Sequence, residues 1–379
     1  MSDLLIRIYS FGFGTGNQPG DPTGDGGGFV FDCRGLYNPG RVSELRTKTG
    51  RDTDVCSLLE DEADVSGFLN HTFELIQNTA LTYRLRGFSD LSVAFGCTGG
   101  RHRSVYCAER IAERLAEAGF HTRIVHWQLE REEPEFYTRR AMILAAGLGT
   151  RLQPLTDTTP KALVEAGGKT MLDWTLESLL RAGCKEITVN GHHHAEQIES
   201  WVTKQKSDFD SILFHYSFEP EILGTGGGIR QAARWLHSPT PILIHNADVW
   251  SNFDWELLYS RHRTSDLATL VVQPRPSKSY LLVDDESRVC GLETKGTRRI
   301  VTQSIGELRQ MGFCGIHLVS PDLIERIHSL PYSSIVDCYL EWIANGETIR
   351  AAKLTGDWFD MGTPEKLGEL NRFLKSSSH

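Results

Sequence analysis

Apolar and polar residues alternate along the first 130 residues with two different periods. Short apolar runs typical of strands are separated by segments with the spacing of amphipathic helices. The predicted strands are 4–9, 29–32, 91–95 and 121–127, and the predicted helices are 64–77 and 102–118. The glycine-rich stretch 12–28 predicts a mobile surface loop, because glycine disfavours regular structure. This order of elements favours a small α/β domain.

From residue 141 onward, strands and helices alternate regularly. Strands are predicted at 142–145, 187–190, 212–216 and 241–245, and helices at 171–182, 195–204 and 229–236. Two further segments, 267–290 and 299–318, have the pattern of strands. The alternation predicts an α/β fold with a doubly wound, Rossmann-like sheet, in which ligands bind outside the carboxyl ends of the strands.

A charged run at 130–140, which contains Pro134, predicts a linker between two domains. The expected organisation is an N-terminal domain at 1–130, a linker at 131–139 and a second domain at 140–379.

The composition is that of a globular, acidic chain. Its 379 residues carry a formal net charge of −9, and this acidic balance disfavours RNA as a partner. The eight cysteines include no Cys-x-x-Cys pair, which argues against a disulfide framework or a structural zinc site. No apolar run has the length of a membrane span, and no signal peptide precedes Leu4. We therefore expect a cytoplasmic protein.

The main chemical motif is the stretch 142–161, MILAAGLGTRLQPLTDTTPK. A short strand leads into a loop with Gly147 and Gly149, whose backbone N–H groups can approach phosphate oxygens closely. Arg151 can bind two oxygens, and Lys161 adds a compact positive charge. Together these residues predict a polyphosphate site. Gly-x-Gly alone would fit an ordinary strand-to-helix turn equally well.

A second motif, EPEILGTGGGI, spans 219–229 and leads from a loop into a helix. The Glu219 carboxylate could accept the N3–H of uracil or the N1–H and N2–H of guanine, so this residue leaves the base open. A solvated glutamate in a turn is the structural alternative.

Two carboxylates suggest a metal site. Asp248 ends a strand in IHNADVW, and Asp360 lies in DWFDMGTPEKL, where Asp357 is its local competitor. Mg²⁺ takes a few carboxylates together with phosphate oxygens, so a pair from distant segments suits it. The consecutive histidines at 192–194 cannot all face one ion, and they predict a polar loop instead.

With these motifs, residues 140–373 resemble the sugar-1-phosphate nucleotidyltransferases, whose fold is GT-A-like. LGTGGGI, N-x-D-V-W and the ending W-x-D-x-G-T are most similar to the N-acetylmuramate 1-phosphate uridylyltransferases of bacterial peptidoglycan recycling. Heptose 1-phosphate guanylyltransferases share E-x-x-x-LGTGG. The resemblance implies Mg²⁺-dependent formation of an NDP-sugar and pyrophosphate from an NTP and a sugar 1-phosphate, with UTP favoured over GTP.

The resemblance also implies roles for individual residues. The expected catalytic residues are Arg151 and Lys161, and the expected metal ligands are Asp248 and Asp360. The expected nucleotide contacts are Leu144, Ala146, Gly147, Gly149, Thr150, Glu219, Gly224, Thr225 and Gly226. The expected sugar contacts are Asn246, Glu293, Lys295 and Gly312. A fold that has become a regulator is the alternative, and the intact charged residues argue against it.

The N-terminal domain has its own anion motif, GCTGGRHRS at 96–104, between a strand and a helix. The N–H groups at the start of the helix and two arginines attract an anion. The spacing of Cys97 and Arg103 also fits cysteine-dependent phosphatases, in which a thiolate attacks the phosphate. Against this alternative, Gly96 stands where those enzymes usually carry a histidine.

Together with SFGF and FDCRGLYNP, this motif makes residues 8–129 resemble the RapZ C-terminal domain of RNase adapter proteins. The resemblance implies a regulatory domain with a pocket for an anion or an amino-sugar phosphate. The expected pocket residues are Asp32, Arg34, Asn38, Thr98, Gly99, His102, Arg103 and Ser104. Asp32 and Arg34 could instead form only an ion pair at the end of a strand.

Overall fold

The computed structural model describes residues 4–16, 18–23, 27–133, 136–327 and 334–376. The chain forms two compact units, residues 1–137 with 238–240 and residues 138–237 with 241–379. No helix within the described ranges is both long and apolar enough to cross a membrane. The stretch predicted as a linker at 131–139 is partly regular, because a helix reaches Glu132 and a strand begins at Arg139.

The first unit is built on a parallel sheet. Its strands are β1 (Leu5–Gly12), β2 (Phe29–Asp32), β3 (Asp90–Cys97) and β4 (His121–His126), and its helices are α1 (Thr53–Glu60), α2 (Ala63–Leu85), α3 (Arg103–Glu117) and α4 (Trp127–Glu132). Among the described residues the strand order is β2-β3-β1-β4, and every pairing is parallel. All four strands therefore end at the same edge of the sheet.

The glycine-rich stretch 12–28 is more regular at its start than predicted. β1 runs to Gly12, paired with Cys97, and a 3₁₀ turn follows at Phe13–Thr15. Pairing of β1 with strands on both sides outweighs the low strand preference of glycine. Residues 17 and 24–26 of this stretch lie outside the described residues, so the predicted mobile loop cannot be compared there.

The helix predicted at 102–118 is confirmed as α3. Its buried apolar residues recur every three to four positions and pack against the parallel sheet. This core includes Ala108, Ile111, Ala112 and Leu115.

The second unit is a larger α/β assembly. Its strands are β5 (Arg139–Leu144), β6 (Glu165–Ala166), β7 (Lys169–Thr170), β8 (Cys184–Gly191), β9 (Leu213–Phe218), β10 (Ile242–Asn246), β11 (Val249–Ser251), β12 (Ala268–Gln273), β13 (Ser279–Val283), β14 (Val289–Thr294), β15 (Thr297–Ile300), β16 (Arg309–Val319), β17 (Ile349–Lys353) and β18 (Trp358–Asp360). Its helices are α5 (Met171–Arg181), α6 (Ala195–Asp208), α7 (Gly224–Gln231), α8 (Ala233–Leu236), α9 (Trp255–Arg261), α10 (Pro321–Arg326), α11 (Ile335–Ala344) and α12 (Pro364–Ser376).

The predicted doubly wound sheet is confirmed, and it is extended by antiparallel strands. In the described part of the unit, ten strands form one sheet in which β10, β5, β8 and β9 are parallel neighbours. β16 joins this part by antiparallel pairing with β10, and it also pairs with β12 and β13. The segments 267–290 and 299–318 thus hold several separate strands, joined by a hairpin turn between β13 and β14 and by longer connections before β13 and before β16.

Helices cover both faces of the sheet, and β5 shows how. Ile143 packs with Leu176 of α5 and Val202 of α6 in one apolar core. Its neighbour Met142 faces the opposite side and packs with Ile229 of α7 in a second core. Alternation along a strand places successive side chains on opposite faces, so the predicted phosphate-binding motif starts from a strand whose central residues are buried on both faces.

Candidate functional site

The phosphate-binding motif begins where β5 ends, and its turn depends on Gly149. This residue has a φ of 67°, which favours glycine. A Cβ at Gly149 would lie 2.8 Å from Thr156 Cγ2 and 2.9 Å from Lys161 Cβ. The Thr156 hydroxyl donates a hydrogen bond to the carbonyl of Gly149 at 2.9 Å. The bare backbone at Gly149 therefore lets the loop fold back and brings Lys161 close to it.

A cavity of about 210 Å³ opens at the carboxyl ends of β5, β8 and β10. The predicted residues that line it are Leu144, Ala146, Gly147, Lys161, Glu219, Gly224, Thr225, Asn246 and Asp248. The predicted residues outside this lining are Gly149, Thr150, Arg151, Gly226, Glu293, Lys295, Gly312 and Asp360. The structure thus gathers residues from all three motifs around one cavity, as expected for ligands of a doubly wound sheet.

Asn190 is a buried wall residue that the sequence analysis did not identify. Its Oδ1 accepts a hydrogen bond from the backbone N–H of Ala145 at 2.6 Å. Its Nδ2 donates to Oε1 of Glu219, also at 2.6 Å. The amide therefore connects the phosphate-binding loop to the carboxylate of the second motif, across 45 and 29 residues of sequence.

Glu219 is almost completely buried, with 1 % of its surface exposed. Its second oxygen, Oε2, accepts a longer hydrogen bond of 3.4 Å from the N–H of Leu223. Burial raises the pKa of Glu219, and the hydrogen bonds from Asn190 and Leu223 oppose this rise. Gly228 of α7 makes the pocket possible, because a Cβ there would lie 2.7 Å from Oε1. Glu219 is therefore a buried carboxylate that is fixed by hydrogen bonds, and not a solvated turn residue.

Helix α7 begins earlier than predicted. The sequence placed residues 219–228 in a loop before the helix, whereas Gly224 is already the first residue of α7, with a φ of 72°. The hydroxyl oxygen of Thr225 accepts a hydrogen bond of 2.8 Å from the N–H of Ile335, at the start of α11. Gly226 is buried within α7. Because Gly228 has no side chain, α7 packs closely against Asn190 and Glu219.

The two predicted metal ligands are brought together by a small antiparallel ribbon. β11 pairs with β18 so that Val249 lies opposite Asp360. The N–H of Met361 donates to the carbonyl of Asp248 at 2.8 Å. Asp248 and Asp360 therefore lie on adjacent backbone segments, although their residue numbers differ by 112.

Three cations surround these carboxylates. The Lys161 ammonium contacts Oδ2 of Asp248, and the Lys366 ammonium of α12 contacts Oδ2 of Asp360. Arg151 lies beside them, since a Cβ at Gly362 would be 2.7 Å from Asp360 Oδ1 and 3.3 Å from an Arg151 guanidinium nitrogen. Burial works to raise the pKa of Asp360, but Lys366 and the N–H of Gly362 lower it below its ordinary value.

The donor set fits a hard divalent cation that is completed by a substrate. Within the described residues, no group of three or more His, Cys, Asp or Glu side chains could hold a metal by itself. Asp248 and Asp360 supply two carboxylates, and Mg²⁺ commonly binds through one or two carboxylates with phosphate oxygens and water. Asp357 lies apart from this pair, because its carboxylate accepts a hydrogen bond of 3.0 Å from Asn252.

The predicted sugar contacts are distributed over two places. Asn246 lines the cavity and packs against Gly315. Glu293 of β14 binds Arg298 of the neighbouring strand β15 at 2.6 Å and Gln310 of β16, two strands away, at 2.7 Å.

The other two predicted sugar contacts, Lys295 and Gly312, also lie outside the cavity lining. Lys295 occupies the turn between β14 and β15, exposed, with a φ of 52°. Gly312 leaves space for the side chain of Arg275.

The three histidines hold the binding loops in place. His192 Nδ1 lies 2.8 Å from the carbonyl of Glu219. His193 and His194 approach the carbonyls of Thr156 and Asp157 at 3.4 and 3.1 Å. One ring nitrogen of each histidine thus contacts the backbone of a predicted nucleotide-binding loop, which agrees with the predicted polar loop.

In the first unit, the predicted anion residues lie at the carboxyl edge of the parallel sheet. Asp32 and Arg34 form an exposed ion pair at 2.6 Å, which is the simpler of the two expectations. Arg34 also stacks over Phe13 at 4.5 Å. Thr98 and Gly99 are exposed in the loop before α3. The Asn38 side chain caps a 3₁₀ turn by accepting from the N–H of Gly40 at 3.2 Å.

The other predicted anion residues are buried. Arg103 donates to the carbonyls of Arg34 and Leu36 at 2.8 and 3.1 Å, and its Nε has no hydrogen-bond partner among the described residues. His102 binds the carbonyl of Leu45 at 2.9 Å, and burial lowers its pKa.

The Cys97 thiol does not resemble a phosphatase nucleophile. Cys97 is 3 % exposed and lies 3.1 Å from the hydroxyl of Ser104. Because a nucleophilic thiolate must be accessible, this placement disfavours the phosphatase alternative.

Comparison with known proteins agrees with both parts of this description. A model of the RapZ C-terminal domain matches residues 4–130. The mannose-1-phosphate guanylyltransferase catalytic subunit beta of Drosophila pseudoobscura pseudoobscura is 34 % identical over 230 residues, which cover 60 % of each chain. The mannose-1-phosphate guanyltransferase of Debaryomyces hansenii is 29 % identical over 60 % of this chain and 62 % of its own. The chain thus spans about 60 % of the length of these relatives.

A solved UDP-glucose pyrophosphorylase in complex with UDP-glucose has the same fold, with a TM-score of 0.51 and 17 % identity over 63 % of this chain and 99 % of its own. Neither of the two guanylyltransferase relatives is a uridylyltransferase, so the narrower uridylyltransferase expectation gains no support from them. The model described as Nucleotidyl transferase matches residues 140–377, which is more than half of the sequence. The chain therefore belongs to the nucleotidyl transferase family.

Proposed function

We propose that the second unit is a guanylyltransferase, which forms a GDP-sugar and pyrophosphate from GTP and a sugar 1-phosphate of the mannose type. The buried Glu219 carboxylate at the cavity wall carries this proposal. The guanylyltransferase relatives support GTP over the UTP expected from the motifs alone. GTP and a sugar 1-phosphate of the mannose type therefore replace UTP and N-acetylmuramate 1-phosphate as the proposed substrates.

The geometry of Glu219 suits guanine because both of its oxygens are fixed. Asn190 holds Oε1, and the N–H of Leu223 holds Oε2. A carboxylate oxygen has more than one lone-pair site, so each oxygen can accept one further hydrogen bond. The N1–H and N2–H of guanine are two adjacent donors that match two adjacent acceptors. Uracil offers a single donor, N3–H, and would leave one oxygen unused.

The proposed reaction is an in-line displacement at phosphorus. An oxygen of the sugar 1-phosphate attacks the α-phosphate of GTP, and the bond to pyrophosphate breaks without a covalent enzyme intermediate. Lys161 at the cavity wall would neutralise the transferring phosphate, and Arg151 would bind the leaving phosphates. Asp248 and Asp360 would hold Mg²⁺. The bound ion would act as a Lewis acid that stabilises charge on the phosphate oxygens.

A nucleotide panel with Glu219→Gln tests the base assignment. Pyrophosphate release is measured with GTP, ITP, XTP and UTP at a fixed concentration of mannose 1-phosphate. For the wild type we expect kcat/KM for ITP about tenfold or more below GTP, because inosine lacks the N2–H donors. Glu221→Gln, an exposed change in the same loop, is the matched control.

The variant should change the preference in a defined direction. A carboxamide at position 219 can keep its oxygen towards Asn190 and place its NH2 at the Oε2 position, where the N–H of Leu223 is 3.4 Å away. In this orientation it accepts one hydrogen bond and donates another, which matches the N1–H and O2 of xanthine. Glu219→Gln should therefore lose roughly 10²-fold with GTP and gain activity with XTP. If the wild type prefers UTP, and Glu219→Gln leaves UTP almost unchanged, the chain is a uridylyltransferase and the guanine proposal is wrong.

For the first unit, we propose binding of a phosphorylated amino sugar at the edge of the parallel sheet. The match to the RapZ C-terminal domain supports this assignment. Thr98 and Gly99 are exposed in the loop that leads to the 15-residue helix α3, at whose start backbone N–H groups and the helix dipole favour an anion. This unit would deliver or report a sugar phosphate and would not hydrolyse it.

A further inference from the structure

Lys366 is a charged residue of the site that none of the phosphate or metal motifs requires. It lies in the first two turns of α12, six residues after Asp360. Leu370, one turn further along, is fully buried and packs with Met361 in a small apolar core. Because residues four apart share a helix face, this packing holds Lys366 over the metal-site carboxylate.

Both oxygens of Asp360 are engaged in the described structure. Oδ1 accepts the N–H of Gly362 at 2.8 Å, and Oδ2 contacts the Lys366 ammonium. The backbone N–H of Gly362 is fixed by the turn before α12. The Lys366 side chain is 45 % exposed and has a flexible four-carbon stem. Of the two partners of Asp360, Lys366 is therefore the one that can move away from the carboxylate.

We propose that Lys366 is a displaceable counter-ion that competes with the divalent metal for Asp360. In the nucleotide-free protein, Lys366 keeps the carboxylate correctly oriented, and it lowers the affinity for the metal. When a metal binds, the ammonium leaves Oδ2 and becomes available to phosphate oxygens of the substrate. This inference rests on the proposed metal-dependent reaction and assigns a positioning role to Lys366, to which the sequence analysis of the stretch 357–367 gave no function.

The experiment measures Mn²⁺ binding to the nucleotide-free full chain, by the electron paramagnetic resonance signal of free Mn²⁺. Lys366→Met should bind Mn²⁺ roughly three- to tenfold more tightly, because both an ion pair and a like charge beside the metal are removed. Lys366→Arg keeps the charge and should remain close to the wild type. Lys375→Met, an exposed change on the same helix, is the matched control and should leave the affinity unchanged.

A second comparison separates this inference from the metal site itself. Asp360→Asn should weaken Mn²⁺ binding strongly, and Lys366→Met should add no further change in that background, because the partner is absent. If Lys366→Met binds Mn²⁺ equally or more weakly while Asp360→Asn weakens it, the counter-ion role is wrong and the metal site stands. If Asp360→Asn retains wild-type Mn²⁺ affinity, the proposed metal site fails.

Discussion

Asn190→Asp offers a sharp test of how the base-binding carboxylate is held. The change is isosteric, so the new carboxyl can still accept the N–H of Ala145. Its other oxygen, however, replaces the amide nitrogen that lies 2.6 Å from Glu219 Oε1. Two carboxylates would then face each other in a site where both side chains are almost fully buried.

The size of the effect follows from this distance. Two unit charges about 2.6 Å apart repel by about 6 kcal/mol at an effective dielectric constant of about 20. Holding one proton on the pair at pH 7 costs about 4 kcal/mol, which is less. The pair therefore keeps a proton at neutral pH, and the shared proton restores a hydrogen bond to Glu219.

The sign of the pH dependence is fixed by linkage. A pair whose folded pKa is raised binds its proton more tightly when folded, so its stability is present at low pH and is lost as the pH rises. Relative to the wild type, the free energy of unfolding of Asn190→Asp should fall by about 1.4 kcal/mol per pH unit above pH 5, until the pair ionises. Urea unfolding from pH 5 to pH 9 measures this slope.

Nucleotide binding should follow the same trend. The KM for GTP should approach the wild-type value near pH 5.5 and rise with pH, because a doubly ionised pair distorts the base site. Asn345→Asp, an exposed change of the same chemistry after α11, is the control and should show no such slope. Equal pH profiles of stability and KM for Asn190→Asp and the wild type would refute the contact between Asn190 and Glu219.

Two further predictions concern the glycine turn and the first unit. Gly149→Ala should lower the free energy of unfolding, measured by urea unfolding, by about 1–3 kcal/mol and raise the KM for GTP, because a Cβ at a φ of 67° meets Lys161. Gly147→Ala is the control and should keep wild-type stability in the same assay, because a Cβ at Gly147 meets no atom within 4 Å. In titration calorimetry with glucosamine 6-phosphate, Thr98→Val should weaken binding by the full-length chain and Cys97→Ser should not, because the Cys97 thiol is buried. Cys97-dependent hydrolysis of that ligand would contradict the binding role.

Local sequence signals determined the framework of this protein. The apolar run before Gly147 predicted a buried strand, and β5 occupies that position with side chains in two cores. The helix α3 was predictable because its apolar spacing is regular. The motifs at strand ends also predicted that Glu219 and Asp248 line a common cavity, since parallel strands end at one edge.

Tertiary structure alone decided which groups hold these residues in place. Asn190 lies near the end of β8, outside the sequence motifs, and its role depends on hydrogen bonds to segments 29 and 45 residues away. From the sequence alone, Lys366 is an ordinary cation, and only the structure shows that it contacts Asp360. The Asn190 contacts join segments that are distant in the sequence, whereas Lys366 and Asp360 are only six residues apart and meet because of the way α12 follows β18. The sequence therefore specified the elements and the reactive groups, while the fold selected their partners.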